Sequence, residues 1–327
     1  MTHTFRAGFL AASTLIAVPA AAAELRMLGG FPEGFVFTEE IAMPFMEAVS
    51  EATDGAVTVA FTGPDAVPPL EQLEPVQAGV FDLLFTHPAY HAGTTSLGLA
   101  IDAVGTDPQI RRESGIIGLL DEHYRALGLK LIAAPATGTQ GFRYYLKAPI
   151  DGAPAFEGRK IRGTVSYHPM IEALGGTGVV MGGGEVYSAL QTGVVDGAAW
   201  GTTGAMDFKW NEVAGYIADP VFGQVGVMIF ANLDAWEALS EEERAAIEQA
   251  ALELEAGSIA RFDALAEEEL AALQEAGMEL TSFSEEEAAQ LDRLWSEGVW
   301  QVASGGAPDE VARMRAMAEE AGLAAAE

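Results

Sequence analysis

The chain of 327 residues contains no cysteine. That removes disulfide frameworks, thiol nucleophiles and thiolate metal sites. Histidine is scarce, at five residues, and 17 Lys and Arg face 48 Asp and Glu, for a formal charge of −31. A surface of that sign repels phosphate backbones and anionic lipid headgroups, so no nucleic-acid partner is expected. A carboxylate ligand is repelled at long range too and needs a local cationic site, which makes each arginine informative. Beyond the N-terminus no apolar run reaches spanning length. Enzyme signatures are missing as well: there is no Walker A loop, no H-E-x-x-H pair and no G-x-S-x-G elbow. Gly176-Thr177-Gly178 begins like a dinucleotide fingerprint, but the third glycine is absent and the segment precedes a strand instead of following one. His87 and His91 are four apart, yet Pro88 and the glycines beyond place them in a loop, with no third ligand in evidence.

What is present starts with a leader. A weakly basic stretch ending at Arg6 precedes an apolar run over 7–22, broken by Ser13, Thr14 and Pro19, and Ala21-Ala22-Ala23 fits a small-x-small cleavage site. A signal peptide over 1–23 is expected, with the mature, periplasmic chain starting at Glu24. Half of the residues are hydrophobic, which is enough for two domains or one large one. Strand patterns at 25–28, 56–62, 81–86 and 129–134 alternate with helical spacing over 35–53, 70–78 and 108–127, which predicts a mostly parallel sheet. The connection from His87 to Asp107 is long and glycine-rich, a kind that often carries function. A second alternating set follows, with strands at 142–146, 160–163, 179–181 and 194–200 and helices at 166–174 and 185–191. Residues 217–230 return as one β-leaning run. Beyond Asn232 the composition turns to Ala, Glu and Leu, with helices opened by capping boxes at Ser240–Glu243 and Ser284–Glu287 and by Pro308. The acidic clusters read as solvated faces and first-turn acids.

The segment from Gly158 to Gly197 carries the sharpest pattern. It contains Gly158-Arg159-Lys160-Ile161-Arg162 and the unbroken run Glu185-Val186-Tyr187-Ser188-Ala189-Leu190-Gln191-Thr192-Gly193-Val194-Val195-Asp196-Gly197. These resemble the G-x-K-I-R and E-V-Y-x-A-L-Q-x-G-V-V-D-G motifs of the DctP-type solute-binding proteins of tripartite ATP-independent periplasmic (TRAP) transporters. Val76-Gln77-Ala78-Gly79, Gly141-Phe142-Arg143, and Asn232 with Trp236 and Leu239 agree with that resemblance. It implies a two-lobed α/β binding protein with a mixed sheet in each lobe, hinge strands, and a long C-terminal helix spanning both lobes. The division expected is 24–139 plus about 228–268 for lobe I and 140–227 plus about 269–327 for lobe II. The resemblance also implies a receptor without enzymatic activity. It would capture an organic acid in the interlobe cleft and deliver it to small and large membrane permease subunits for sodium-coupled uptake. A monomer touching the membrane only through the permease is expected, with no cofactor. A receptor feeding a sensor kinase is the alternative, and a secreted enzyme on a two-lobed scaffold the more distant one.

Within that frame Arg162 is expected to anchor the ligand carboxylate, since a guanidinium offers a planar fork of parallel N–H donors. Arg143 is a second basic candidate. Trp200 matches the position of a cleft wall, where an indole would stack on the ligand. Phe35 and Tyr90 are the candidates from the first lobe, and Glu185 is expected to cap its helix or hold Arg162. Some relatives that bind oxo-acids place an acid directly before the tryptophan and use a metal ion; Ala198-Ala199 stand there, so no metal is expected. Gly182-Gly183-Gly184 suggests a cleft widened beside Trp200.

Overall fold

The computed structural model describes residues 23–324. The expected leader lies outside the described residues, apart from Ala23, which opens the first strand. In chain order the strands are β1 (Ala23–Gly29), β2 (Val57–Thr62), β3 (Leu83–Thr86), β4 (Leu129–Ala133), β5 (Phe142–Leu146), β6 (Lys160–Arg162), β7 (Thr177–Val179), β8 (Gly197–Gly201), β9 (Tyr216–Asp219), β10 (Met228–Asn232) and β11 (Glu279–Ser282). They form two sheets, a five-stranded one in the order β2-β1-β3-β10-β4 and a six-stranded one in the order β11-β9-β5-β8-β6-β7. In each sheet a single strand, β10 or β5, runs against its neighbours. Both of these strands are the ones that enter from the other lobe. β3, β5, β8 and β10 are buried along their whole length, as expected of continuous apolar runs covered on both faces.

The run at 217–230 is not one strand. β9 belongs to the second sheet and β10 to the first, because Pro220 has no N–H for a ladder and Gly223 takes a positive φ of 64°. The ring of Trp295 lies where a Cβ of Gly223 would be. The crossover between β4 and β5 lies beside this one. Phe142 and Phe222 exchange backbone hydrogen bonds of 2.7 and 3.1 Å, the Thr137 amide donates to Val225 O at 3.1 Å, and Val227 donates to Pro135 O at 3.2 Å. The two passages between the lobes are thus hydrogen-bonded side by side.

The long helix Glu241–Glu275 is a third connection, about 52 Å long. Ser240 and Glu243 cap each other as expected, at 3.2 and 2.7 Å. Its buried stripe includes Ile247, Ala251, Glu255, Ser258, Phe262 and Ala266, at steps of three or four residues. Three acids along the helix bind, in turn, the first lobe, the crossover and the second lobe. Glu255 takes a two-pronged bond from Arg112 at 2.6 and 2.8 Å and the Ala134 amide at 2.7 Å. Asp263 accepts the Thr139 amide at 2.6 Å and its hydroxyl at 2.9 Å. Glu269 accepts the Met206 amide at 2.8 Å, and burial raises its carboxyl above the usual range.

Two other expectations need correction. The stretch 35–53 is not a uniform helix: a π turn at Thr38–Ala42 precedes the α-helix Met43–Ala52, and this wider turn leads into Pro44, which lacks an amide donor. The C-terminal tail, expected in the second lobe, returns to the first. Helix Leu291–Ala303 packs on both the buried 3-10 segment Leu97–Ala103 and helix His168–Ala173, and helix Pro308–Glu320 packs on helix Ile116–Arg125. The Gly105 amide donates to Leu323 O at 2.6 Å, and Val104 bridges to Ala324.

Two stability predictions follow from buried charge. Glu255 is almost fully buried, so Glu255→Ala strands the Ala134 amide and uncouples Arg112; a loss of about 3 kcal/mol is expected in urea unfolding at pH 7. His91 is buried with Nε2 2.7 Å from the Tyr124 hydroxyl, and burial holds its pKa down to about 3. The folded state therefore binds fewer protons than the unfolded chain, whose histidine titrates near 6.5. This contribution is present above about pH 6.5 and is lost as the pH falls toward 3, by about 1.4 kcal/mol per pH unit. Between pH 7 and 5 the loss of stability is expected to be about 2 kcal/mol smaller in His91→Gln than in the parent, as read by urea unfolding at both pH values.

Candidate functional site

A cavity lies between the lobes. Its walls include Phe31, His87 and Tyr90 from the first lobe, and Arg162, Tyr167 and Trp200 from the second. Phe31 follows β1, whereas His87 and Tyr90 follow β3, so the first-lobe wall comes from loops at the carboxyl ends of parallel strands. Ligands bind at such ends in open α/β sheets. The space left between the side chains is about 30 Å³, room for little more than a water, so the lobes are drawn together here.

Arg162 is the last residue of β6 and is 1% exposed. β7 ends at Val179, short of the expected 181, and this frees the Met181 carbonyl. That oxygen accepts from Arg162 Nε at 3.1 Å and Nη2 at 2.8 Å, while Ala199 O, on β8, accepts from Nη1 at 2.9 Å. Three of the five guanidinium N–H groups are thereby used. These carbonyls leave one on each Nη, with the Tyr90 phenol close enough to share them, and a carboxylate can take such a fork. The guanidinium carbon lies 4.8 Å from the Trp200 ring centroid. Tyr90 and Tyr167 stand beside it: burial pushes both phenols above the usual range, and the Arg162 charge opposes that rise.

Trp200 is therefore the bed of Arg162. Phe31, Phe35, Phe208 and Trp210 surround the indole nearly edge-on, at centroid distances from 5.5 to 6.4 Å. The glycine triplet serves this packing. A Cβ on Gly183 would lie 2.7 Å from the Trp200 ring, whereas one on Gly184 would meet nothing within 4 Å. The space that the triplet was expected to leave for ligand is filled at Gly183 by the indole.

The other candidates lie elsewhere. Phe35 is buried behind the cavity wall, stacked on Phe208 at 4.7 Å and on Phe31 at 5.4 Å, and it joins the lobes instead of lining the cavity. Beside it the Val36 amide donates to Asp207 across the cleft at 2.9 Å. Arg143 is paired in register with Trp200 but does not line the cavity; its Nη2 lies 3.9 Å from Asp219. Glu185 does not touch Arg162. It accepts the Gly182 amide at 2.8 Å and so acts on the guanidinium only through the backbone next to Met181. His87 and His91 diverge: His91 points into the core, and His87 lines the cavity. His87 Nδ1 accepts the Ala89 amide at 3.2 Å, which places its proton on Nε2, 3.1 Å from the buried Asp102 carboxylate. Sequence reasoning missed Phe37, Phe142, Thr164, Tyr167 and Val225 as lining residues. Thr164 and Tyr167 follow β6 directly, so proximity to the strand end that carries Arg162 was a usable signal. Val225 sits on a crossover and carries no local one.

Three comparisons bear on this geometry. A family model described as bacterial extracellular solute-binding protein, family 7 (DctP) matches residues 36–302. The C4-dicarboxylate-binding periplasmic protein DctP of Rhodobacter capsulatus is 29% identical over 222 residues, 65% of this chain and 66% of that protein. The monocarboxylate 2-oxoacid-binding periplasmic protein of a Nostoc species is 27% identical over 242 residues, 70% of this chain and 65% of that protein. The chain thus spans just under two thirds of the length of these relatives. Among solved structures, a TRAP periplasmic solute-binding protein of Desulfovibrio salexigens with bound orotic acid superposes with a TM-score of 0.81 at 20% identity, covering 91% of this chain and 98% of that one. An extracytoplasmic solute receptor of Bordetella pertussis binding pyroglutamic acid gives 0.79 at 20% identity, over 92% and 99%. The two lobes, the cleft between them and the family model matched across most of the chain agree: this chain belongs to the DctP family of bacterial extracellular solute-binding proteins.

Proposed function

We propose that this chain is the periplasmic receptor of a TRAP transporter. It captures an organic acid between its lobes and delivers it to membrane permease subunits for sodium-coupled uptake. The leader is removed after Ala23 and the receptor acts as a monomer. The observation that carries this reading is the Arg162 guanidinium, clamped on one side by two backbone carbonyls with one N–H on each Nη left over at an interlobe cavity. A carboxylate takes those two donors, the aromatic walls enclose the remainder, and closure of the lobes excludes water. Binding favours the closed form and shifts an existing equilibrium toward it. The permease partner is inferred from the resemblance to TRAP receptors.

Titration calorimetry with mono- and dicarboxylates tests this. Arg162→Ala is expected to weaken the best-binding acid by 100-fold or more. An unchanged dissociation constant in a variant whose circular dichroism matches the parent would remove Arg162 as the anchor. Gly183→Val drives a side chain into the Trp200 ring and displaces the bed on which Arg162 lies. Affinity for the same acid is expected to fall about tenfold or more, although no ligand atom need touch residue 183. The acid itself should be recovered chemically unchanged after prolonged incubation with the receptor; its consumption would point to an enzyme.

A further inference from the structure

Given that Arg162 holds a carboxylate, the rest of the cavity constrains what is attached to that carboxylate. Among the described residues Arg162 is the only Lys or Arg lining the cavity. The nearby candidate, Arg143, does not line the cavity; its Nη2 lies 3.9 Å from Asp219 and its buried Nε has no partner. A second carboxylate in the closed cleft would be buried without a counter-charge. The neutral polar groups are only partly engaged with the protein. His87 takes the Ala89 amide on Nδ1, while its Nε2, 3.1 Å from Asp102 but not aligned for a hydrogen bond, and the Trp200 indole N–H are both buried without a partner. The Thr164 hydroxyl lies 3.0 Å from that of Ser166. What remains is the Arg162 fork with the phenols of Tyr90 and Tyr167, both near enough to feel its charge, and the two N–H donors of His87 and Trp200. The other walls are the rings of Phe31, Phe37 and Phe142 with Val225. Phe31 and Phe37 meet edge-on at 5.1 Å, as do Phe142 and Tyr167, so ring faces and ring edges border the same small space.

We infer that the ligand is an aryl monocarboxylate: one carboxylate on Arg162, the two phenols beside it, and a flat apolar ring among the phenylalanines, held with the lobes further apart than the cavity of about 30 Å³ found here allows. An aromatic ring suits such a box because its edge and faces complement those of the surrounding rings. A polyhydroxylated acid does not suit it. Each hydroxyl proton buried without an acceptor lowers affinity about tenfold or more, and the unpartnered groups besides the phenols, His87 Nε2 and Trp200 Nε1, are donors only. Nothing in this depends on room beside Gly183, which Trp200 fills.

The test is competitive calorimetry on the purified receptor with benzoate, phenylacetate and cinnamate against succinate, malonate and glucuronate, with acetate as the minimal carboxylate. At least one aryl acid is expected to bind 100-fold or more tightly than succinate, malonate and glucuronate. If a dicarboxylate or glucuronate binds as tightly as the best aryl acid, the aryl assignment fails while the carboxylate receptor stands. If no acid of any class binds, the receptor reading fails and takes this inference with it. Phe31→Leu adds a separate readout. It is expected to weaken the best aryl acid about tenfold more than it weakens acetate. An equal loss for both would mean that the ring does not rest on Phe31 and would overturn the box.

Discussion

A guanidinium keeps its charge when buried, so its donors must find acceptors. At Arg162 that requirement organises the second lobe. β7 stops at Val179, and Met181 then offers a carbonyl that a longer strand would have committed to its ladder. β8 brings Ala199 O to the other side and Trp200 beneath. Gly183 leaves room for the indole, and Glu185 fixes Gly182 next to Met181. Two carbonyl dipoles align the guanidinium but do not neutralise it. Among the described residues no carboxylate pairs with this guanidinium, and the N–H groups that the two carbonyls leave over lie at the cavity.

The first lobe meets this site through Tyr90, beside Arg162, and through the Val36–Asp207 and Phe35–Phe208 contacts, and its placement also depends on the connections between lobes. The two crossovers are bonded to each other as a short ribbon, and the long helix lies across both halves. Glu255, Asp263 and Glu269 hold the helix to the first lobe, the crossover and the second lobe in turn. A ribbon bends more easily than it stretches, and a helix fastened at both ends restricts sliding. Opening of the cleft is therefore directed toward a hinge motion about the crossovers.

Much of the architecture was legible in the chain. Alternation of strand and helix patterns gave two sheets, and the capping box at Ser240 marked the start of the long helix to within a residue or two. Arg162 was legible through an unusually long motif. The aromatic residues were harder. Phe31, Phe35 and Phe37 lie within seven residues after one strand, and their spacing does not tell a cavity wall from the packing behind it; only the positions of Phe208 and Trp200, far along the chain, decide this. Arg143 shows a similar limit. It is a cross-strand partner of Trp200, but its guanidinium reaches toward the end of β9, and strand register alone does not reveal that. The return of the last helices to the first lobe rests on contacts with Val104 and Gly105, some 220 residues earlier, which no local pattern announces.

The stacked rings of Phe35 and Phe208, one from each lobe, have a thermodynamic consequence. Whenever the cleft shuts, apolar area leaves water on both sides of this seam, whatever the ligand. The heat capacity of binding therefore contains a negative contribution that belongs to the protein and not to the ligand. Ligands of different size should share that offset, and the enthalpy of binding should grow more favourable on warming even for a ligand with no apolar surface.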